Sequence, residues 1–197
     1  MSDRIALVAK RKSGKSTVAE MLTRSYGYKR IALAGPLKCS AVEMLNHWLA
    51  GQGETRAITL AEMDEHKAAF RPLLEWLGTP FGRDYLGTPE RWLDQFELGL
   101  MAAERLGHRR FVVDDVRQPN EAERLRAMGF VIVRVMRPEH ERHLALEAAG
   151  EIAGAMPSER YIDQIAPDAE LRNVDTLDYL AGQVCAMVDW AREVSAA

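Results

Sequence analysis

Ala9-Lys10-Arg11-Lys12-Ser13-Gly14-Lys15-Ser16-Thr17 follows an apolar run, Ile5-Ala6-Leu7-Val8, and leads into Val18-Ala19-Glu20-Met21-Leu22. Strand, tight loop and helix in that order are the setting of a phosphate-binding P-loop. The usual spacing is G-x-x-x-x-G-K-[ST]. Here Ala9 replaces the first glycine, and Gly14, Lys15 and Ser16 keep the rest. In such a loop the backbone N–H groups of Ser13 to Ser16 cradle phosphate oxygens, helped by the positive end of the following helix. Lys15 is expected to reach the β- and γ-phosphates, and the Ser16 hydroxyl to ligate Mg²⁺. The competing reading is a basic turn before an ordinary helix, since Gly-Lys-Ser is common by chance. The strand before it and the helix after it favour the loop.

The 197 residues suit one α/β domain or one domain with a small insertion. Apolar residues make up 47%, which argues against disorder. Lys and Arg number 26 against 29 Asp and Glu, a formal charge of −3, so the chain lacks the overall basic footprint of a duplex-DNA binder. No nucleic-acid partner is therefore expected. Cys39 and Cys185 stand far apart, outside any metal-ligand spacing, and read as reduced and buried, consistent with cytosol. No secretory signal precedes the first strand, and no apolar run reaches the length of a membrane span. A cytoplasmic protein without a membrane partner is the expectation.

Along the chain, strands are expected at Arg4–Val8, Lys29–Ala34, Arg110–Val116, Phe130–Met136 and, at an edge, Glu170–Asn173. Helices are expected between them. Thr59 is an N-cap candidate with Glu62 completing a capping box, and the helix carrying Met63 through Trp76 should kink or restart at Pro72. Residues 78–83 read as a loop. Thr88-Pro89-Glu90 opens another helix, along which Trp92, Phe96, Leu100 and Ala103 recur at helical spacing. Alternating strands and helices imply a mainly parallel sheet covered on both faces, with ligands beyond the carboxyl ends of the strands. Ala9, Ala34, Asp115 and Arg137 all fall at such ends.

Asp114-Asp115-Val116-Arg117 closes the third strand. An acid there acts as a Walker-B carboxylate for Mg²⁺ or orients an acceptor hydroxyl, and Asp115, further out, is the choice. Arg117 lies beside it. Arginines recur in rim segments: Arg71, Arg83, Arg117, Arg134, Arg137, Arg142 and Arg160. Transfer of a phosphoryl group to another phosphate gathers negative charge, which guanidinium forks match bidentately. A surface ion pair is the commoner use of any single arginine, above all for Arg134 and Arg160.

Four blocks together resemble the phage-type deoxynucleoside monophosphate kinases of the P-loop nucleoside monophosphate kinase group: AKRKSGKST (9–17), LAGPLK (33–38), RPLLEWLGTPFGR (71–83) with Trp92 following, and VVDDVRQPNEAERLRAMGFVIVRVMRP (112–138). Weaker echoes are Pro157–Glu159 and Arg172-Asn173. The resemblance implies a single P-loop kinase domain over 1–197. It has a three-layer fold with a mainly parallel five-stranded sheet, an acceptor-binding helical region at 35–108 and a small helical lid at 137–163. It implies ATP and Mg²⁺ as cofactors, with Lys12, Ser13, Gly14, Lys15, Ser16 and Thr17 on the ATP phosphates and Asn173 near the adenine. Ser16 and Asp115 would hold the metal. Lys38, Arg71, Glu75, Arg83, Trp92, Asp115 and Arg117 would surround a nucleoside monophosphate, with Arg71 and Arg117 on its phosphate and Glu75 near its base. Lys15, Asp115, Arg117 and the lid arginines Arg137 and Arg142 would carry catalysis.

Ser16 stands where phage-type members often have aspartate, which points to a Mg²⁺ arrangement closer to the general P-loop plan, and Glu75 stands where an amide is common, which leaves the choice of base open. The family's phage members make a viral gene acting in host cytoplasm one expectation, and a homodimer is compatible with the chain. KRKSGK and GPLK also resemble animal-type phosphomevalonate kinases. A phage kinase acting on a hydroxymethylated base in DNA keeps the same fold, and a nucleotide-binding module without catalysis is a further alternative. His140 and His143 read as a solvated helix face rather than a metal pair. Trp76 and Trp190 read as core, and Met63 and Met101 as gap-filling hydrophobes.

Overall fold

The computed structural model describes residues 3–88, 90–150 and 161–196. Pro89, Arg160 and the Pro157–Glu159 stretch lie outside them, as does part of the expected lid. The chain divides into two compact units, residues 33–102 forming one and the flanking segments the other.

The flanking unit is built on five strands: β1 (Asp3–Val8), β2 (Lys29–Ile31), β3 (Arg110–Val116), β4 (Val131–Met136) and β5 (Ala169–Arg172). They run in the order β2-β3-β1-β4-β5, and every pairing is parallel. β2 stops three residues short of the expected Ala34. Gly35-Pro36 forms the first turn of the helix that follows, where proline's missing N–H costs nothing. Helices α1 (Lys15–Tyr26) and α8 (Leu177–Ala196) cover one face. Val18, Ala19 and Leu22 of α1 and Leu180, Val184 and Val188 of α8 meet Ile5, Leu7, Val112, Val133 and Leu171 there, all nearly inaccessible. Alternate residues, such as Ala6 and Ile132, point the other way. α6 (Pro119–Ala127) packs against β4 and buries Ala122 and Leu125.

Arg134 explains itself as a structural residue. Its Nη2 donates to the carbonyl of Ile162 at 3.2 Å and to that of Ile165, anchoring a 3₁₀ turn over Ile162–Gln164. α7 (Glu139–Glu147) supplies the helix expected after β4. Trp190 is half-buried against the core, whereas Cys39 and Cys185 are exposed rather than buried. Each cysteine sits on the outer side of an amphipathic helix, off its apolar stripe. Among the described residues no helix is long and apolar enough to cross a membrane.

The 33–102 unit is helical. It comprises α2 (Gly35–Gly51), α3 (Leu60–Glu65), α4 (Lys67–Trp76) and the greater part of α5 (Arg91–Arg105). The Thr59 hydroxyl accepts the Glu62 N–H at 3.1 Å, but the Glu62 carboxylate turns to Arg56, so only half of the capping box forms. Asn46 of α2 exchanges two hydrogen bonds with Ile58, 2.9 and 2.7 Å, and so fastens the loop leading to α3. The expected interruption at Pro72 comes earlier, at His66. Restarting at Lys67 puts Pro72 inside the second helical turn, where it gives up one intrahelical hydrogen bond.

Residues 78–83, expected as a loop, belong to a wide π-helical turn, Leu77–Tyr85, continuous with α4. Gly82 makes this turn possible. A Cβ there would meet the Leu77 carbonyl and come within 2.7 Å of the Trp92 ring. Gly82→Ala is accordingly expected to destabilise the protein by about 1–3 kcal/mol through overpacking, read as a lowered denaturant midpoint. Met63 is buried as expected, but Met101 is 45% exposed and fills no gap.

Candidate phosphate-binding site

β1 ends at Val8, and the chain turns through Lys10–Gly14 before α1 begins. Ser13 N–H closes the turn on the Lys10 carbonyl at 3.3 Å. Lys12 and Gly14 both take positive φ, 61° and 95°. α1 has Gly14 as its N-cap, and no side chain caps it. Its first-turn N–H groups, from Lys15 to Thr17, therefore keep their donors for an anion beside the positive helix end.

The sheet brings the rest of the rim to this loop. Val8 is flanked by Val116 of β3 and Arg134 of β4. Ala6 pairs with Val113 but Val8 with Val116, so a bulge sets Asp114 and Asp115 together opposite Leu7. Bulges re-aim side chains in this way next to functional sites. Asp114, rather than Asp115, is the buried acid: it is 8% exposed and held by Arg30 of β2, whose Nε donates to Oδ1 at 2.9 Å and whose Nη2 reaches Oδ2. Asp114 in turn holds the Arg30 guanidinium above its ordinary value. Asp115 is half-buried and Arg117 exposed.

Lys15 sits in the middle of these charges. Burial lowers its pKa, Arg117 and Arg30 lower it further, and Asp114 and Asp115 act in the opposite direction. A lowered lysine pKa marks a cationic form that the folded chain under-solvates, and bound phosphate oxygens would restore that charge. Between the lowered value and the ordinary 10.5, the unfolded chain holds a proton that the folded chain has released, so stability rises with pH across that window. Nucleotide binding should take up a proton in the same window, with affinity falling as pH rises through the folded pKa. Calorimetric titration in buffers of different ionisation heat measures the uptake, which Lys15→Met should abolish.

From the other side, Arg137 Nη1 approaches the Lys12 carbonyl at 3.5 Å while its Nε donates to Glu141 at 3.1 Å. Lys10 pairs with Asp163 at 2.8 Å. Asn173, placed at the end of β5, donates through Nδ2 to the Ser13 carbonyl at 3.1 Å. Arg142, expected on a lid that closes over the donor, is buried against its own helix. It is 9% exposed, with Glu139 at 3.4 Å and His143 at 3.3 Å, because α7 turns it into its own packing. His143 is thus engaged within α7.

The remaining sequence candidates lie in the helical unit. Arg71 and Glu75 are exposed on α4, Arg83 is half-buried in the wide turn, and Lys38 pairs with Asp64 at 2.5 Å. Trp92, expected beside an acceptor, is a core residue. It is 6% exposed, packs with Ala41, Met63 and Leu77, and donates Nε1–H to the Gly78 carbonyl at 2.9 Å. Trp76, expected in the core, is 48% exposed. It opens a ladder of near-parallel rings, 4.8 Å and 20° from Phe81, which lies 5.7 Å and 15° from Tyr85. Trp76, Pro80, Phe81 and Tyr85 line a cavity of about 400 Å³.

Five parallel strands in this order, helices flanking the sheet and a Gly-Lys-Ser loop between β1 and α1 make this the fold of the P-loop kinases. Two solved structures share it along nearly the whole chain. TT1252 from Thermus thermophilus is 20% identical over 96% of this chain and 97% of its own, with a TM-score of 0.55. Dephospho-CoA kinase from Campylobacter jejuni is 14% identical over 96% of each chain, with a TM-score of 0.51. No protein-family model matches the chain, and no curated protein matches its sequence.

Proposed function

We propose that this protein is an ATP- and Mg²⁺-dependent kinase that converts a nucleoside or deoxynucleoside monophosphate to its diphosphate. The observation that carries the reading is Lys15 at an uncapped helix start, its charge under-solvated, in the field of Asp114, Asp115, Arg30 and Arg117. That arrangement suits a polyphosphate that arrives with a divalent metal. Ser16 and Asp115 would hold Mg²⁺, which supplies charge neutralisation on the phosphates. Asp114, committed to Arg30, shapes the field instead.

In the transfer, an acceptor phosphate oxygen attacks the γ-phosphorus, the bond to the β–γ bridging oxygen breaks, and ADP leaves. No covalent enzyme intermediate is required. Lys15 and Arg137 would stabilise the transferring charge, and Arg117 would bind the acceptor phosphate. Within the helical unit, Arg71 and Arg83 carry charge suited to a phosphate, and the Trp76–Phe81–Tyr85 ladder is a planar, apolar wall suited to a base. Aromatic faces stack on nucleobases of every sequence. That wall favours a ring-bearing acceptor over a mevalonate phosphate, which has no ring to stack.

An assay of ADP release across the ribo- and deoxyribonucleoside monophosphates, with phosphomevalonate and hydroxymethyluracil DNA as further arms, tests the proposal. Turnover with at least one monophosphate is expected. ATP binding without turnover on any arm would leave a nucleotide-binding module.

A further inference from the structure

We propose that Asn173 is a positioning residue of the P-loop, which aims the Gly14 N–H into the phosphate cradle and reserves position 14 for glycine, and that it makes no contact with the base. The inference rests on the loop being a phosphate site and is independent of which acceptor is used.

Asn173 is itself firmly placed. Its backbone N–H donates to the Met136 carbonyl at 2.7 Å, continuing the β4–β5 ladder one residue past the strand. From there its Nδ2 donates to the Ser13 carbonyl at 3.1 Å, across 160 residues of chain. The Ser13–Gly14 peptide is planar and trans, so its C=O and N–H point in opposite directions. Pinning the Ser13 oxygen to Asn173 therefore directs the Gly14 N–H away from Asn173, toward the interior of the loop. Ser13 is 3% exposed, which leaves the peptide little room to flip.

The same contact accounts for the glycine. A Cβ built on Gly14 would strike the Asn173 amide nitrogen and lie 3.2 Å from its Cγ, and the φ of +95° disfavours any side chain. Two costs are thus combined at position 14, and only one of them depends on Asn173.

The test compares binding of magnesium tripolyphosphate, which has no base, with binding of ATP, both by calorimetric titration. Asn173→Ala should weaken both ligands by the same factor, about 2- to 10-fold, as for loss of one neutral hydrogen bond. Asn173→Asp should weaken both by more, since it sets a carboxylate against the Ser13 carbonyl. Gly14→Ala should weaken both by more than 10-fold, and adding Asn173→Ala to it should recover part of the loss. A thermal melt confirms that each variant folds.

Loss confined to ATP would make Asn173 a base contact and overturn the proposal. Unchanged affinity for both ligands in Asn173→Ala, or no recovery in the double variant, would overturn it as well. Failure of the unaltered chain to bind either ligand would remove the phosphate site itself. Normal binding without turnover would remove the kinase reading and leave the role of Asn173 standing.

Discussion

Replacing Lys15 with methionine should lower turnover by about 10²–10³-fold, the range seen when one preorganised charge donor is removed from a transferring group. The same change should leave the folded chain as stable as before, or more stable. The reason is the direction of the Lys15 pKa: burial holds it down, so below that pKa the ammonium is a charge the fold carries at a cost. Methionine keeps the length of the stem and removes that cost. Activity and stability should thus move in opposite directions, as at other sites where function holds a charge the fold would otherwise reject. Steady-state kinetics and a denaturant titration on the same preparation check both. Retained turnover would dismiss Lys15 as a catalytic group, and parallel loss of stability would show that its charge supports the fold.

Trp92→Ala should cost about 3–5 kcal/mol, the usual range for emptying a buried aromatic site. Its ring packs among Ala41, Met63 and Leu77 and lies against Gly82, where no other side chain can follow it. Trp92→Phe should cost less but leave the Gly78 carbonyl without its 2.9 Å donor, about 0.5–1.5 kcal/mol. Trp76→Ala, on the exposed ladder, should shift stability by no more than about 0.5 kcal/mol and raise the KM for a nucleotide acceptor. Denaturant midpoints and KM values for the three variants separate the roles. If Trp92→Ala changed KM alone and Trp76→Ala lost the stability, the two assignments would have to be exchanged.

The exchange of roles between these tryptophans shows how far local pattern reaches. Trp92 leads a stripe with Phe96, Leu100 and Ala103 at helical spacing, and the whole stripe is buried. The resemblance alone implied a place beside the acceptor. In the preceding helix the packed stripe is Phe70, Leu73, Leu74 and Leu77, and Trp76 falls off it. Counting that stripe in the sequence would have exposed Trp76. The wide turn that follows was less legible, since Gly-Thr-Pro-Phe-Gly reads as a loop whenever only propensity is considered.

The amino-acid sequence by itself determined the strand–loop–helix at residues 5–22, the alternation that makes a parallel α/β sheet and the acids ending β3. Each of these is carried by neighbours a few residues apart, where hydrogen-bond spacing and burial periodicity act directly on the local chain. Tertiary structure decided which acid is committed to Arg30, how the bulge sets Asp114 and Asp115 together opposite Leu7, and why Asn173 meets Ser13. Those contacts join residues 84 and 160 positions apart, through parallel strands whose register depends on packing over the whole sheet. A local pattern shows where a charged side chain leaves its strand, but the partner it meets is set by strands that enter the sheet much later in the chain.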